Sequence, residues 1–289
     1  MKAIICYFSG TGNTKKIVDY YKSTLINSGV EVSLVNMEEP AELDFSDVNF
    51  VGFAYPIHAF NAPSIVLKFA KAIKKQNNKV NYFILKTSGE PLKLNNVSSC
   101  KLKSLLKKRN FYLTNEYHYI MPYNMIFRHT NAMAYKMWET AKQVIPIDCN
   151  QIINNVPAKL SYVPLGRFIA WVFRIEHWGG RFNGKRYKVN SDCIKCNACV
   201  LKCPTKNITI DENGNFHFGK NCLMCMRCSF FCSKNAIKIG LFNGWKVNGP
   251  YNFLKPENEE TDNHKKFCKK SYEKYFKNCQ NKIDSNKTL

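Results

Sequence analysis

Residues 3–14 read AIICYFSGTGNT, and this stretch decides the fold of the first half of the chain. Its first six residues contain neither a charge nor a glycine, which is typical of a strand buried on both faces of a parallel sheet. The turn at residues 9–14 follows, and a helix is predicted from Asn13 to about Ile26. The stretch therefore predicts a strand, a glycine-containing turn and a helix, with the turn at the carboxyl end of the strand.

Strand-like and helix-like segments continue to alternate up to about residue 147. Further strands are predicted at residues 30–35, 50–53, 80–85 and 111–120. Helices are predicted after Pro63, at residues 102–108 and at residues 132–144. Five strands separated by helices imply right-handed crossovers, so we expect an α/β domain with a doubly wound five-stranded parallel sheet at residues 1–147.

The turn at residues 9–14, called the phosphate loop below, has the chemistry of a phosphate site. Amide N–H groups at a helix start are unpaired, the helix dipole favours negative charge, and glycines allow a phosphate to approach the backbone. A dinucleotide-binding fingerprint would need a third glycine, but Lys15 stands there, and no G-K-S/T sequence follows as in a P-loop. The turn therefore suits a phosphate that is held and not transferred.

The phosphate loop resembles the S/T-x-T-G-x-T loop of flavodoxins, which cradles the phosphate of FMN. This resemblance implies a flavodoxin-like fold in which two further loops hold the flavin ring at the carboxyl edge of the sheet. The FMN-binding residues that it implies are Ser9, Gly10, Thr11, Gly12, Asn13, Thr14, Tyr55, Pro56, Ile57, His58, Ala59, Phe60, Thr87, Ser88, Gly89 and Glu90.

The resemblance leaves open which side chain stacks on the flavin ring. His58 occupies the position where flavodoxin-like proteins often carry an aromatic residue, and Tyr55 and Phe60 compete for the stacking role. His58 would otherwise donate a hydrogen bond near the flavin or pack within the protein. The amides of residues 87–90 would bond the pyrimidine edge of the ring. Residues 121–124 follow the fifth strand and form either a rim of the pocket or, as we favour, a plain turn.

Eight of the thirteen cysteines occur between residues 193 and 232 and repeat one spacing, C-x2-C-x2-C-x3-C. Three thiolates at this spacing wrap one cubane cluster, while the fourth reaches the other cluster. The predicted ligands are Cys193, Cys196, Cys199 and Cys232 for one 4Fe–4S cluster, and Cys222, Cys225, Cys228 and Cys203 for the other. Paired C-x2-C units also make zinc sites. A zinc site, however, does not explain why a third cysteine at x2 and a fourth at x3 follow each C-x2-C pair, twice in the chain.

Residues 188–242 resemble bacterial ferredoxins with two 4Fe–4S clusters, a small α+β fold, and depart from them only at Ser233, where a proline usually stands. The order of the two regions resembles the flavodoxin–ferredoxin fusion proteins of anaerobic bacteria and archaea. The resemblance implies a redox flavoprotein that transfers electrons between FMN and two clusters, coupling one-electron carriers to a two-electron flavin. The alternative is a pure electron carrier or redox-responsive binding protein without a small-molecule substrate. No residue set constitutes an acid–base site, so catalytic residues are not predicted.

The net charge of +22, from 43 basic and 21 acidic residues, would attract phosphates, anionic membrane surfaces or acidic proteins, and charge alone does not distinguish these. We expect acidic redox carriers, such as a separate ferredoxin or flavodoxin, to bind a basic face near the clusters. The aromatic residues among the arginines of residues 167–182 offer a nucleic-acid surface as an alternative. A solvated lysine-rich face explains the charge better than nucleic-acid binding does.

Two segments flank the cysteine-rich region, a connector at residues 148–187 and a polar C-terminal extension at residues 243–289. The extension is predicted to be a surface helix or partly disordered. The apolar run at residues 168–173 is far shorter than a membrane span, and we expect it to pack the connector against one of the domains, with a membrane-surface helix as the alternative. The sequence shows no signal-peptide h-region, which together with the cysteine usage predicts a cytoplasmic protein.

Overall fold

The computed structural model describes residues 1–39, 43–257 and 265–287. Its central feature is a five-stranded parallel sheet in the order β2-β1-β3-β4-β5. The strands are β1 (Lys2–Tyr7), β2 (Glu31–Asn36), β3 (Phe50–Pro56), β4 (Val80–Ser88) and β5 (Phe111–Ile120). This arrangement confirms the predicted doubly wound α/β fold, and the carboxyl ends of β1, β3, β4 and β5 lie at one edge.

Helices cover both faces of the sheet. They are α1 (Asn13–Asn27), α2 (Ser64–Ala72), α3 (Cys100–Lys107) and α4 (Asn131–Ile153). Successive residues of a strand point to opposite faces. Accordingly Ile5 packs in the core with α1 and α4, whereas Cys6 packs in the core with α2 and α3.

The helix α4 is nine residues longer than its predicted end at Val144, and it crosses the expected boundary at residue 147. Pro146 lies inside it, although proline removes one helix hydrogen bond and costs about 3 kcal/mol in a helix interior. The residues that follow the proline bury Cys149 and Ile152 in the main core. This burial explains why the helix continues to Ile153, although the sequence predicts that it ends at Val144.

The cysteine-rich region repeats itself with an offset of 29 residues. Its elements are β6 (Tyr187–Val189), α7 (Ala198–Leu201), β7 (Ile208–Ile210), β8 (Phe216–Phe218), α8 (Arg227–Phe230) and β9 (Ile237–Ile239). The offset relates α7 to α8 and β7 to β9. It also relates the left-handed residues Lys195, Asn197 and Lys206 to Met224, Met226 and Asn235. The internal repeat predicted from the cysteine spacing is therefore present in the backbone.

The connector contains α5 (Gly166–Val172), a single turn at Phe173–Ile175, and α6 (Glu176–Gly184). The prediction that residues 168–173 pack against a domain is wrong for most of their side chains. Phe168 and Trp171 are 59% and 63% exposed, and in this run only Ala170 is fully buried. The small residues of α5 occupy the side that contacts the protein, so the large ones face outward. No helix in the described ranges combines the length and hydrophobicity that crossing a membrane requires.

The C-terminal helix α9 (Lys265–Lys287) packs against α4 and is more than a polar extension. Its Ile283 joins the main core, and Tyr272 joins a smaller cluster with Ile120 and Met133. Lys282 forms an ion pair with the buried carboxylate of Asp148 in α4. The remaining part of the predicted extension, residues 258–264 and 288–289, lies outside the described residues.

Candidate functional site

A cavity of about 440 Å³ lies at the carboxyl edge of the sheet. Its walls come from the loops that follow β1, β3, β4 and β5, and from residues of the connector and of the cysteine-rich region. This volume falls within the range of small-molecule and cofactor sites, and the lining is mainly apolar with a few polar groups, as such sites require.

The phosphate loop forms one end of this cavity. Gly12 precedes α1 with a φ of 102°, a left-handed conformation that favours glycine. The hydroxyl of Ser9 accepts hydrogen bonds from the amides of Gly12 and Lys15, each at 3.2 Å. The hydroxyls of Thr14 and Thr87 lie 2.8 Å apart, which ties the loop after β1 to the end of β4. The loop is therefore held in a defined conformation at the start of a helix.

The end of β3 and the loop that follows it contribute Pro56, Ile57, His58, Ala59 and Phe60 to the cavity wall. Ala59 and Phe60 have φ values of 39° and 62°, so the chain turns sharply here without a glycine. Tyr55, a competitor for the stacking position, points elsewhere. Its side chain is fully buried in the core with α2 and α3, and its hydroxyl finds no hydrogen-bond partner among the described residues. The structure therefore removes Tyr55 from the candidates, because strand alternation turns it away from the cavity.

The loop after β4 is held in place by hydrogen bonds that involve Ser88 and His118. Ser88 donates its hydroxyl proton to the carbonyl of Glu90 at 2.7 Å, so the ring Nε2 of His118, also 2.7 Å away, is the donor to the Ser88 oxygen. Burial and the nearby Lys86 lower the pKa of His118 to about 3, so its ring is neutral at neutral pH.

A chain of hydrogen bonds from the C-terminal helix also supports this wall. The amide of Tyr123 donates to Nδ1 of His129, whose Nε2 therefore donates to the hydroxyl of Tyr272. The Tyr272 hydroxyl in turn donates to the carbonyl of Gly89. The chain links two cavity-lining residues, Tyr123 and Gly89. Tyr272 is a functional candidate that local sequence patterns could not find, because it lies in a helix more than 180 residues after Gly89.

Residues 121–124 line the cavity, so they do more than form the plain turn that we favoured from the sequence. Asn13 donates to the carbonyl of Pro122 at 2.7 Å, and Asn124 donates to the hydroxyl of Thr11 at 3.0 Å. Gly89 contacts the ring of Tyr123 so closely that a Cβ could not be accommodated there. This segment therefore joins the phosphate loop to the loop after β4.

Titratable side chains converge at the cavity from a second direction. Glu176 of α6 lines it together with His58, and the side chain of His177 is 3.1 Å from Glu176. Burial lowers the pKa of His58, while Glu176 opposes this shift and His177 adds to it. No local motif identifies this group, because Glu176 and His177 are more than 110 residues from His58 in the chain.

The two predicted cysteine sets line two separate cavities. One is lined by Cys203, Cys222, Cys225 and Cys228, and the other by Cys193, Cys196, Cys199 and Cys232, with Cys228 between them. Across residues 1–39, 43–257 and 265–287, no three or more His, Cys, Asp or Glu side chains are placed around a single metal ion. Each predicted set of four cysteines nevertheless lines a cavity of its own.

Backbone amides point at the cysteine sulfurs in both repeats. The amides of Lys195 and Met224 donate to the sulfurs of Cys193 and Cys222, each at 3.4 Å. Equivalent bonds of 3.3 Å reach Cys203 from Asn207 and Cys232 from Ala236. Hydrogen bonds to sulfur stabilise thiolates and adjust the potential of an iron–sulfur cluster. The donor set thus suits two thiolate-ligated clusters.

The second cysteine loop, residues 222–228, lies directly against the phosphate loop. Met224 lines the 440 Å³ cavity, and a Cβ placed on Gly10 would lie 2.5 Å from the carbonyl oxygen of Cys225. The first cysteine loop, residues 193–199, contributes nothing to the described lining of that cavity, and its Cys196 is exposed. The two cysteine sets therefore differ in their distance from the cavity, although the sequence repeat treats them alike.

Arg227, between Cys225 and Cys228, fastens the two domains together. Its guanidinium donates to the carbonyls of Ser9 at 2.7 Å and Gly10 at 3.0 Å, both in the phosphate loop. It also donates to the carbonyl of Lys202 at 2.9 Å and pairs with both carboxylate oxygens of Glu38. All five N–H groups of the guanidinium are thereby used. The sequence did not identify Arg227, because its partners in the flavodoxin-like region, Ser9, Gly10 and Glu38, lie about 190 residues or more away.

Fourteen of the sixteen predicted FMN-binding residues line the cavity. The two others, Gly12 and Tyr55, are not among the described residues that line it. The cavity also includes residues from outside the flavodoxin-like region, namely Glu176, Gly179, Gly180, Met224, Phe242 and Trp245.

Two family models match the chain. One, described as a flavodoxin domain, matches residues 4–143, and another, described as a 4Fe-4S dicluster domain, matches residues 171–237. Together with the folded architecture, they define an iron–sulfur flavoprotein of the electron-transfer class. The chain is a fusion of a flavodoxin domain with a 4Fe-4S dicluster ferredoxin domain, in that order.

Individual relatives match parts of the chain. An uncharacterized protein of Methanocaldococcus jannaschii is 33% identical over 78 residues, which are 27% of this chain and 28% of that protein. The pyruvate synthase subunit PorD of the same organism is 44% identical over 52 residues, which are 17% of this chain and 57% of that subunit. The chain thus spans less than two thirds of either relative.

Solved flavodoxins resemble the first half of the chain. A short-chain flavodoxin associated with a bacterial microcompartment is 16% identical and covers 53% of this chain and 97% of its own, with a TM-score of 0.41. A flavodoxin of Streptococcus pneumoniae is 15% identical and covers 54% of this chain and all of its own, also with a TM-score of 0.41.

Proposed function

We propose that this protein holds FMN in the 440 Å³ cavity and two 4Fe–4S clusters on the two cysteine sets, and that it transfers electrons between them. The observation that carries the proposal is the position of the second cysteine loop, which places Met224 in the cavity wall and Cys225 against the phosphate loop. Bound FMN would supply two-electron chemistry and each cluster one-electron transfer.

The residues of the cavity suit FMN. The phosphate loop offers hydroxyl groups and the N terminus of α1 to a phosphate. The loop at residues 87–90 and the segment at residues 121–124 are fixed by hydrogen bonds and offer backbone groups to a polar ring edge. Phe60 and Tyr123 offer aromatic surfaces, and His58 remains a candidate for stacking or for a hydrogen bond to the ring.

The two clusters would have different roles. Cys203, Cys222, Cys225 and Cys228 would hold the cluster near FMN, because their loop touches the phosphate loop. Cys193, Cys196, Cys199 and Cys232 would hold the cluster near the surface, because Cys196 is exposed. Electrons would therefore enter or leave at the first cysteine loop and reach the cavity through the second.

The test is anaerobic reconstitution followed by redox titration. We expect about eight iron, about eight sulfide and one FMN per chain. Cys196→Ser should lose the cluster near the surface but keep redox equilibration between FMN and the remaining cluster. Cys225→Ser, the equivalent change in the other repeat, should abolish that equilibration. Zinc in place of iron, no bound flavin, or the reverse pattern in the two variants would contradict the proposal.

The partners we propose are acidic redox carriers that dock at the first cysteine loop. The exposed cations Lys195 and Lys202 and the exposed apolar residues Ile194 and Leu201 surround this end of the chain. Such a surface combines electrostatic steering with an apolar contact. Electron uptake from an acidic ferredoxin should slow as salt rises, and Lys195→Gln should weaken that dependence. A rate independent of salt would contradict this docking mode.

A second candidate function is the reduction of a small substrate in the same cavity. The convergence of His58, Glu176 and His177 favours it, because these side chains could hold or deliver a proton beside a bound flavin. Stopped-flow reoxidation of the reduced protein distinguishes the two candidates. A pure carrier reacts only with redox proteins, whereas a reductase is also reoxidised by its small substrate.

A further inference from the structure

The outer face of the connector helices exposes a run of large apolar side chains. Five large apolar side chains follow one another at intervals of three and four residues, which places them on one side of a helix. They are Phe168, Trp171, Ile175, Trp178 and Phe182, and their exposed fractions lie between 56% and 73%. We call these five residues the connector face.

Small residues hold the opposite side of the same helices against the protein. Gly166 and Ala170 are buried, and a Cβ on Gly166 would lie 2.9 Å from the side chain of Val97. Gly184 is in contact with the side chain of Cys222, and Gly180 lies against Met224. A helix that serves the core buries its large apolar residues. Here the arrangement is reversed, and side chains larger than these glycines would not fit the inner side.

Cations accompany the connector face. Arg167, Arg181, Lys185 and Arg186 are exposed, with the guanidinium of Arg186 3.5 Å from the centre of the Phe182 ring and that of Arg181 5.7 Å from the centre of the Trp178 ring. Glu176 is the one acidic residue in residues 151–190, and it lines the cavity on the inner side. The exposed side therefore combines aromatic and aliphatic groups with positive charge.

We propose that the connector face binds the surface of a membrane that contains anionic lipids. Tryptophan and phenylalanine are suited to the boundary between headgroups and acyl chains, and arginines beside them can pair with lipid phosphates. The helical stretch from Gly166 to Gly184 would lie in the plane of that boundary, about 28 Å long at 1.5 Å per residue.

Charge favours lipid over a second copy of this chain. In a pair of copies, the arginines of one connector face would lie beside those of the other, with no exposed acidic group of the connector to compensate them. An anionic lipid surface offsets the same charges. Because Glu176, Gly179 and Gly180 belong both to these helices and to the cavity wall, lipid binding would also bring the cavity close to the membrane.

The test uses the anaerobic holoprotein and vesicles of phosphatidylglycerol mixed with phosphatidylcholine. The protein should sediment with these vesicles at moderate salt and much less with pure phosphatidylcholine. The double variant Trp171→Ser, Trp178→Ser should lose at least about tenfold in partition coefficient, since it removes two large buried apolar groups from the bound state. Leu254→Ser is the control, because Leu254 is an apolar residue that is 73% exposed, compared with 63% and 71% for the two tryptophans, and it lies outside the connector.

The charge contribution is measured separately. Arg167→Gln and Arg181→Gln should each reduce binding to the anionic vesicles about fivefold, which corresponds to about 1 kcal/mol per cation at a lipid surface. The control is Lys107→Gln, an exposed cation on α3. Absence of sedimentation, or sedimentation that the double tryptophan variant retains, overturns the proposal. Concentration-dependent dimers that need Trp171 and Trp178, without lipid binding, would assign the face to a second copy instead.

Discussion

Replacement of Arg227 by glutamine should loosen the phosphate loop from the second cysteine loop. The arginine holds two carbonyls of the phosphate loop and pairs with Glu38, and the side chains of this pair are 16% and 13% exposed. Removing one partner of a buried ion pair costs about 3–5 kcal/mol. Because both groups keep some contact with water, we expect about 2–3 kcal/mol for the separation of these two loops.

This free energy predicts that the phosphate loop opens about 30 to 150 times more often, since 1.36 kcal/mol is a factor of ten. Hydrogen exchange of the amides of residues 9–13, measured by mass spectrometry on the anaerobic holoprotein, reports such local opening. The control is Arg186→Gln, which removes an arginine that bonds within the connector and not to the phosphate loop. If Arg227→Gln leaves the exchange within about threefold of the unchanged protein, local opening is not controlled by this arginine and the reasoning fails.

Three further changes test other parts of the site. Gly10→Ala places a Cβ against the second cysteine loop, and overpacking of about 1–3 kcal/mol should accelerate the same exchange about 5- to 150-fold, whereas Gly244→Ala, with open space around it, should have almost no effect. Tyr272→Phe removes the donor to Gly89, which should raise the FMN dissociation constant about two- to tenfold in a flavin-fluorescence titration. In the folded protein the pKa of His118 is about 3, below its ordinary value of 6.5. As the pH falls below 6.5, the unfolded chain therefore binds a proton at this histidine while the folded protein does not. This histidine should therefore lower the free energy of unfolding by about 1.4 kcal/mol for each pH unit below 6.5. His118→Gln should abolish that loss, so the midpoint of urea unfolding should shift less between pH 7.5 and 5.5 in the variant than in the unchanged protein.

Local sequence patterns predicted what depends on neighbouring residues. The strand at residues 111–120 has the predicted bounds, and the phosphate loop lies between β1 and α1 as expected. In both cases the hydrophobic pattern and the turn residues are contiguous in the chain, so periodicity and turn chemistry locate them. The repeat predicted from the cysteine spacing is likewise contiguous in each half, and it is present in the backbone.

What the sequence did not predict depends on contacts between distant segments. Pro146 ends a helix in any local interpretation, and burial of the residues after it overrides that signal. Tyr55 is aromatic, as a flavin-stacking residue would be, but its side chain points into the core. The strand β3 continues one residue beyond it, to Pro56, and the alternation of side chains along the strand determines which face of the sheet Tyr55 occupies. Glu176 and Tyr272 reach the cavity from the connector and the C-terminal helix, which no motif links to it.

The two halves of the 29-residue repeat differ in the side chains of their cysteine loops. At equivalent positions, the second loop carries Met224 and Met226 where the first carries Lys195 and Asn197. Lys195 and Asn197 are exposed, whereas Met226 is buried and Met224 lies in the cavity wall. The left-handed backbone that surrounds a cluster is thus preserved in both loops, while the side chains on it determine whether a loop faces the flavodoxin domain or solvent.

The position after Met226 continues the same division. Arg227 occupies it in the second loop and fastens the phosphate loop, while the equivalent Ala198 of the first loop has no side chain that could do so. Packing therefore requires apolar side chains and one fully bonded arginine in the loop nearest the cavity. The exposed lysines of the other loop would serve the acidic carrier that we propose as a partner. In the electron path that we propose, the substitutions that distinguish the two loops would place the charged loop at the surface end and the apolar loop at the end beside the cavity.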